Sequence, residues 1–351
     1  MIAFIKKHLI TLSFVLGFAS DSILLPSPDS NLSWIIGLSY VLLISAFILL
    51  REWILLKAGH YTYAEKYAGY SSNIINFFSG SLLSFVFIYY FRSSSFIISL
   101  PVMFMIFGMI LANEMIKDKK YRRLVDIIVL FVSSIFFFVF AVPIFTGSIS
   151  NKVFWISFAF SILLHITFLL SLSYICKKKI RFFDNEIKIS LGIIAVISLL
   201  YITKSLPAVP LSLKSASVYS SIVKSGDVYT VQSEKRSLSQ KLFSLNTYHY
   251  KVGEALYFFA SVHAPVKIGT TVTHVWEYYD NGREDWTKMG SVSFALLGGR
   301  SGGYRGYSVS TNPKSGLWRV SVKTEDNRTI GRYIFKMIES TEEVNRETLA
   351  K

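Results

Sequence analysis

Long apolar runs fill the first 205 residues of this chain and are missing from the rest. A run of roughly 18 or more apolar residues is long enough to cross a ~30 Å hydrocarbon layer as a helix. Seven such runs are read here, at about His8–Leu25, Leu32–Leu50, Ile74–Phe91, Phe96–Asn113, Leu124–Phe145, Val153–Ile175 and Ile187–Thr203. Helices are required, because lipid offers no partner to a bare backbone N–H or C=O. The whole chain, 351 residues with 52% hydrophobic side chains and a mean hydropathy of +0.45, is too apolar for one soluble globule.

The loops between these runs set the orientation. With the N-terminus in the cytoplasm, the inner segments hold Lys6, Lys7, Arg51, Lys57, Lys66, Lys117, Lys119, Lys120, Arg122, Arg123, Lys177, Lys178, Lys179 and Arg181. The outer loops hold only Arg92 and Lys152. That asymmetry is the positive-inside pattern. It also accounts for the basic balance of this half better than a nucleic-acid partner does. Seven spans then leave everything after Thr203 outside the cytoplasm, which in a Gram-negative bacterium is the periplasm. The first run has a rival reading as a signal peptide, given Lys6–Lys7 and the small residues Gly17, Ala19 and Ser20. Cleavage would leave six spans and the same placement of the C-terminal part. The long inner loop 52–73 carries Tyr61, Tyr63, Tyr67 and Tyr70. Tyrosine favours the headgroup layer, so the loop reads either as an interfacial helix or as an extension of the second span.

Ionisable residues inside spans are the usual markers of a transport or proton path. Asp21, Glu114, Asp126 and Lys188 fall within a turn or two of a span end and are expected to reach water. His165 is the one titratable group near mid-membrane and is read as a helix–helix hydrogen-bonding residue. Haem ligation by two histidines finds no partner at matching depth. The lone Cys176 excludes an intramolecular disulfide, and beside Lys177–Lys179 it reads as an inert thiol at a membrane edge. The half as a whole reads as an anchor or packing platform rather than a conduit.

Pro207 and Pro210 stop the last helix, and residues 206–245 read as a linker with room for a first strand at 227–231. Beyond Leu245 the period changes to two. Leu256, Phe258, Ala260 and Val262 alternate with Tyr257, Phe259 and Ser261; Val272, His274, Trp276 and Tyr278 share one face; Trp318, Val320 and Val322 oppose Leu317, Arg319, Ser321 and Lys323. Asp280-Asn281-Gly282 and Glu325-Asp326-Asn327 are turn signals. Short strands with no helical period between them predict an antiparallel, immunoglobulin-like β-sandwich over 246–338. Residues 339–351 read as a charged tail or short helix.

The order Phe258-Phe259, Thr270 to Tyr278, Tyr304-Arg305-Gly306-Tyr307-Ser308, Gly316 to Val320 and Gly331 to Phe335 resembles the bacterial family known only as domain of unknown function 2914. The resemblance covers residues 255–338, under a quarter of the chain. It implies an envelope-associated β domain often attached to membrane spans, and it transfers no catalytic residues.

Nothing in the β region spells an enzyme. His249, His263 and His274 have no metal-ligand spacing, Glu284 and Asp285 point to opposite faces of a strand, and no serine has a nucleophile context. No catalytic, cofactor or metal residue is assigned. The glycine-rich segment 298–307 is the candidate binding loop, through Arg300, Tyr304, Arg305 and Tyr307. It reads as a solvated hairpin or as a grip for an acidic glycan, peptidoglycan or lipid headgroup. His274, Trp276 and Trp318 are assigned a core or interface role. The expected protein sits in the inner membrane, and its non-enzymatic periplasmic sandwich docks an envelope protein or cell-wall glycan. The alternative is a transporter, channel or sensor subunit whose β domain gates or reports on the helices. The lipid bilayer is an expected partner and nucleic acid is not.

Overall fold

The computed structural model describes residues 9–26, 31–57, 62–92, 100, 103–106, 108–109, 119–178, 183–206, 208–226, 228–235, 246–265, 268–297, 303–311, 313–342 and 344–351. The chain divides into a helical unit and a β unit, with the boundary between Leu206 and Pro207.

The helical unit contains α1 (Leu9–Leu24), α2 (Asn31–Lys57), α3 (Thr62–Arg92), α4 (Lys119–Thr146), α5 (Asn151–Ile175) and α6 (Asp184–Ile202). Five of these, α2 to α6, are long and apolar enough to cross a membrane. The expected span at 96–113 lies largely outside the described residues, and α1, with 16 residues, is shorter than the other five. Residues 52–57 continue α2 and residues 62–73 open α3, so much of the long inner loop is helix.

α1 packs tightly on α3. A Cβ added at Gly17 would lie 2.0 Å from the Phe77 carbonyl oxygen, and Ser81 and Ser84 donate to the carbonyls of Gly17 (3.2 Å) and Phe18 (3.0 Å). Small residues are what let two helix backbones meet where water supplies no driving force. Trp34 on α2 packs against Phe85 of α3 and Phe140 of α4. On α5 the buried stripe is Val153, Ser157, Ser161, His165, Phe168 and Leu172, and the opposite face exposes Leu163, Ile166 and Leu170. Polar and small groups inside with leucine outside is the pattern of a helix facing lipid.

Two acids differ from the sequence expectation. Asp126 and Asp21 do not reach water but are 2% and 4% exposed. Asp126 is held by Arg51 at 2.5 Å and Arg122 at 3.2 Å, and Asp21 accepts from the Tyr40 hydroxyl at 2.8 Å. A buried carboxylate is tolerable only when paired or hydrogen-bonded. Lys188 is exposed and pairs with Asp184, as its position near a helix end implies.

The β unit has eleven strands: β1 (Ser212–Tyr219), β2 (Ser221–Ser225), β3 (Val228–Glu234), β4 (Asn246–Tyr250), β5 (Leu256–His263), β6 (Gly269–Asp280), β7 (Asp285–Leu297), β8 (Tyr304–Ser310), β9 (Gly316–Thr324), β10 (Thr329–Glu339) and β11 (Arg346–Ala350). They form a five-stranded sheet in the order β4-β10-β9-β6-β7 and two three-stranded sheets, β1-β5-β8 and β11-β3-β2. The stretch expected as a linker therefore supplies β1 to β3, and the expected tail supplies β11, which pairs antiparallel with β3. The β4–β10 pair is parallel, against the antiparallel pattern expected throughout.

β5 explains the third sheet. Its Phe258 packs edge-on to His274 and Trp276 of the five-stranded sheet. Its Phe259 points the other way, into a second cluster with Tyr219, Ile222, Tyr229 and Val231. A strand with aromatic residues at both parities needs cover on both faces, and a two-sheet sandwich supplies cover on one. The β6–β7 hairpin turns at 281–284, where the Gly282 N–H binds the Asp280 carboxylate, and β7 carries a bulge opposite Trp276/Glu277.

Candidate functional site

The residues singled out from sequence fall in three places. Arg300 lies outside the described residues. Tyr304, Arg305 and Tyr307 lie on β8, where alternation separates them. Tyr304 stacks on Phe294 on the inner side, whereas Tyr307 packs against Tyr229 and Tyr257 on the other. Gly306 is pressed against the Phe294 ring, where an added Cβ would lie 2.6 Å away, so that glycine serves packing rather than loop freedom. The structure does not bring Tyr304 together with Arg305 and Tyr307.

His274, Trp276 and Trp318 are core residues, with His274 fully buried. The Trp276 indole N–H donates to the Ser308 hydroxyl at 2.9 Å, and that hydroxyl meets His274 Nδ1 at 3.0 Å. Ser308 thus joins the Trp276 indole to the His274 ring. Burial pushes the His274 pKa down to about 3. The imidazole is thus a packed, uncharged group. Among the described residues, no group of three or more His, Cys, Asp or Glu is placed to hold a metal ion.

The outer face of the five-stranded sheet was not assembled from sequence, although half of it was visible. The core-facing residues of β9 are Trp318, Val320 and Val322, so Leu317, Arg319, Ser321 and Lys323 face out. Register places Arg332 beside Ser321 and Lys336 beside Leu317 on β10. On the other side Thr273 stands beside Lys323 and Glu277 beside Arg319, followed on β7 by Ser293 and Lys288. Lys288, Arg319, Lys323, Arg332 and Lys336 all project from this face, and Glu277 is the only acid among its strand residues.

Glu277 anchors the middle of the face. Arg319 forks it at 2.7 and 2.8 Å, and the Ser321 hydroxyl donates to it at 2.8 Å. Burial alone would raise its pKa, but the Arg319 and Ser321 hydrogen bonds and the nearby charges of Arg319 and Lys323 hold it below the usual carboxylate value. The Arg319 guanidinium also lies over the Trp286 ring at 4.3 Å, a contact that fixes its direction. Lys288, Arg332 and Lys336 are exposed, and their side chains make no hydrogen bond or ion pair among the described residues.

Two further polar groupings are satisfied internally. Near the end of β4, His249 Nδ1 lies 2.7 Å from Glu234, and Arg346 of β11 forks Glu254 at 2.7 and 3.1 Å. The crevice they line has a volume of about 20 Å³, close to that of a single water site. In the helical unit, Arg51, Glu52, Arg122, Arg123, Asp126 and Glu186 form a chain of ion pairs at one end of α2, α4 and α6, and Arg122 also donates to Asn76 of α3. His165 contacts Ser190 at 2.8 Å and stacks on Phe131 beside a cavity of about 10 Å³.

Residues 269–337 match the family described as "Protein of unknown function (DUF2914)". The matched segment begins at the first residue of β6 and ends in β10, so it contains the whole basic face. No curated protein matches the chain. Among solved structures, a β-glucosidase from Listeria innocua in complex with gluconolactone is similar at 11% identity and a TM-score of 0.19, over 35% of this chain and only 16% of that one. The Pseudomonas fluorescens alkylpurine DNA glycosylase AlkC, bound to DNA containing an abasic site analogue, is similar at 10% identity and a TM-score of 0.19, over 89% of this chain and 99% of that one. At those TM-scores neither likeness informs fold or function.

Proposed function

We propose that this chain is an inner-membrane protein whose helices hold a non-enzymatic docking module, the β unit, on the periplasmic side. The observation that carries the docking role is the cation-rich outer face of the five-stranded sheet, where Lys288, Arg332 and Lys336 are exposed without acid partners among the described residues. A sheet face that served only the fold would intersperse both signs, because like charges on neighbouring strands repel. Supporting the placement is the loop asymmetry, with the inner segments rich in Lys and Arg and the outer ones nearly bare of them.

The alternative, a transporter, channel or sensor subunit, draws on the buried charges of the helical unit. Apart from Asp21, which is held by the Tyr40 hydroxyl, those charges are paired with one another, and the cavity beside His165 holds about 10 Å³. Both observations weigh toward an anchor. The test is a photo-crosslinking residue at Ile334, in the centre of the face, compared in living cells with one at Val252, an exposed residue of the β4–β5 turn. Docking requires a discrete adduct at Ile334 that position 252 lacks. Equal or absent labelling at the two positions would discard the role.

A further inference from the structure

The basic face is a ladder rather than a diffuse patch, and its form narrows the partner. Along β9 and β10 the outward cations alternate between strands: Lys323 on β9, Arg332 on β10, Arg319 on β9, Lys336 on β10. The levels follow from register, since Arg332 faces Ser321, Ile334 faces Arg319 and Lys336 faces Leu317. Strand spacing and rise put each step at roughly 8 Å. Each cation is therefore within about one screening length of the next, and the line concentrates positive potential.

Hydroxyls flank this line. Thr273 of β6 and Ser293 of β7 continue the Lys323 row, bonded to each other at 2.8 Å, whereas Ser321 is buried and spends its proton on Glu277. Ser291 stands in the next row, level with Val275. A hydroxyl both donates and accepts, so this border suits a ligand that itself carries hydroxyls. A phosphate shell presents acceptors alone and would leave the acceptor lone pairs of these hydroxyls unused. Apolar anchors are sparse here: Ile334 is 39% exposed, and the Trp286 ring is already engaged by Arg319.

From the line of cations and its hydroxyl border we infer that the outer face of the five-stranded sheet binds an extended acidic polysaccharide, a chain bearing carboxylates among sugar hydroxyls, laid along β9 and β10. The inference rests on the docking reading and names its partner's chemistry. Recognition has two parts. Carboxylates meet the exposed Arg332 and Lys336, while Lys323 and the Arg319 guanidinium, the latter held by Glu277 and Trp286, add to the positive field between and beyond them. Sugar hydroxyls meet Thr273, Ser291 and Ser293.

The experiment uses the full chain in nanodiscs of zwitterionic lipid and four probes: polygalacturonate, inorganic polyphosphate, poly-glutamate, and vesicles containing phosphatidylglycerol. The expected result is preferential binding of polygalacturonate that weakens as salt rises. The variant carrying Arg332→Gln and Lys336→Gln should lose about tenfold in affinity, in line with two exposed charge contacts. A control carrying Lys224→Gln and Lys251→Gln has the same net charge but keeps the ladder, and it should bind as the parent does. Equal loss in the control would overturn the ladder in favour of net charge. Preference for polyphosphate, poly-glutamate or vesicles would overturn the glycan. An adduct at Ile334 with no polygalacturonate binding would retain the docking role and reject this partner; loss of both would reject docking itself.

Discussion

The two units treat charge in opposite ways. At one end of the helical unit Arg51, Arg122 and Arg123 meet Glu52, Asp126 and Glu186, and the Arg51–Asp126 pair is almost wholly buried. On the outer sheet face of the β unit one acid stands among cations, and three of those cations are exposed. The paired charges of the helical unit hold its helices to one another, whereas the exposed cations of the sheet face are the ones the docking proposal draws on.

Asp126 sharpens the comparison most. Replacing it with Ala leaves Arg51 and Arg122 facing each other across a buried gap. Breaking such a pair from one side costs about 3–5 kcal/mol, and thermal unfolding of the helical unit in detergent should record it. A shift no larger than that of an exposed pair such as Lys188–Asp184 would place Asp126 in water after all.

The next effect lies in the β unit's core. His274 is neutral in the fold, with a pKa near 3, while an unfolded histidine titrates near its ordinary value of 6.5. Below that value the unfolded chain gains a proton that the folded one refuses, so stability is present above the unfolded pKa and is lost as pH falls toward 3. By pH 4.5 the loss is about 2–3 kcal/mol. Hydrogen exchange of peptides covering β5 and β8 checks this, and His274→Gln should flatten the response. A parent profile that is flat between pH 7 and 4.5 would remove His274 from the core.

The smallest effect is the most diagnostic. Arg332→Gln with Lys336→Gln should alter the unfolding of the β unit by no more than about 0.5 kcal/mol, because neither side chain has a described partner. A loss of 2 kcal/mol or more would mean the ladder is structural and the contrast between the units is false.

How much of this was legible in the sequence depends on the kind of order involved. Five of the seven expected apolar helices were, since a run such as Val153–Ile175 needs only length and apolarity. The partner of Asp126 was not, because hydropathy reports depth along a helix and is blind to which neighbour a given side chain faces. Strand parity on β9 was legible from Trp318, Val320 and Val322. The ladder was not, because Arg332 and Lys336 join Arg319 and Lys323 only through the β9–β10 register. The loop quartet misled for the related reason that Tyr304 and Tyr307 differ by an odd number and so leave β8 on opposite sides. The third sheet was hidden by the polar composition of residues 217–241, although Phe258-Phe259, with bulk at both parities, was its trace.

The docking proposal requires the β unit to lie outside the cytoplasm, and a reporter active only there, fused after Lys351, tests that directly. Activity is the result the account requires. Silence from that reporter, with a cytoplasmic one active in its place, would contradict it and turn the basic face toward cytoplasmic partners.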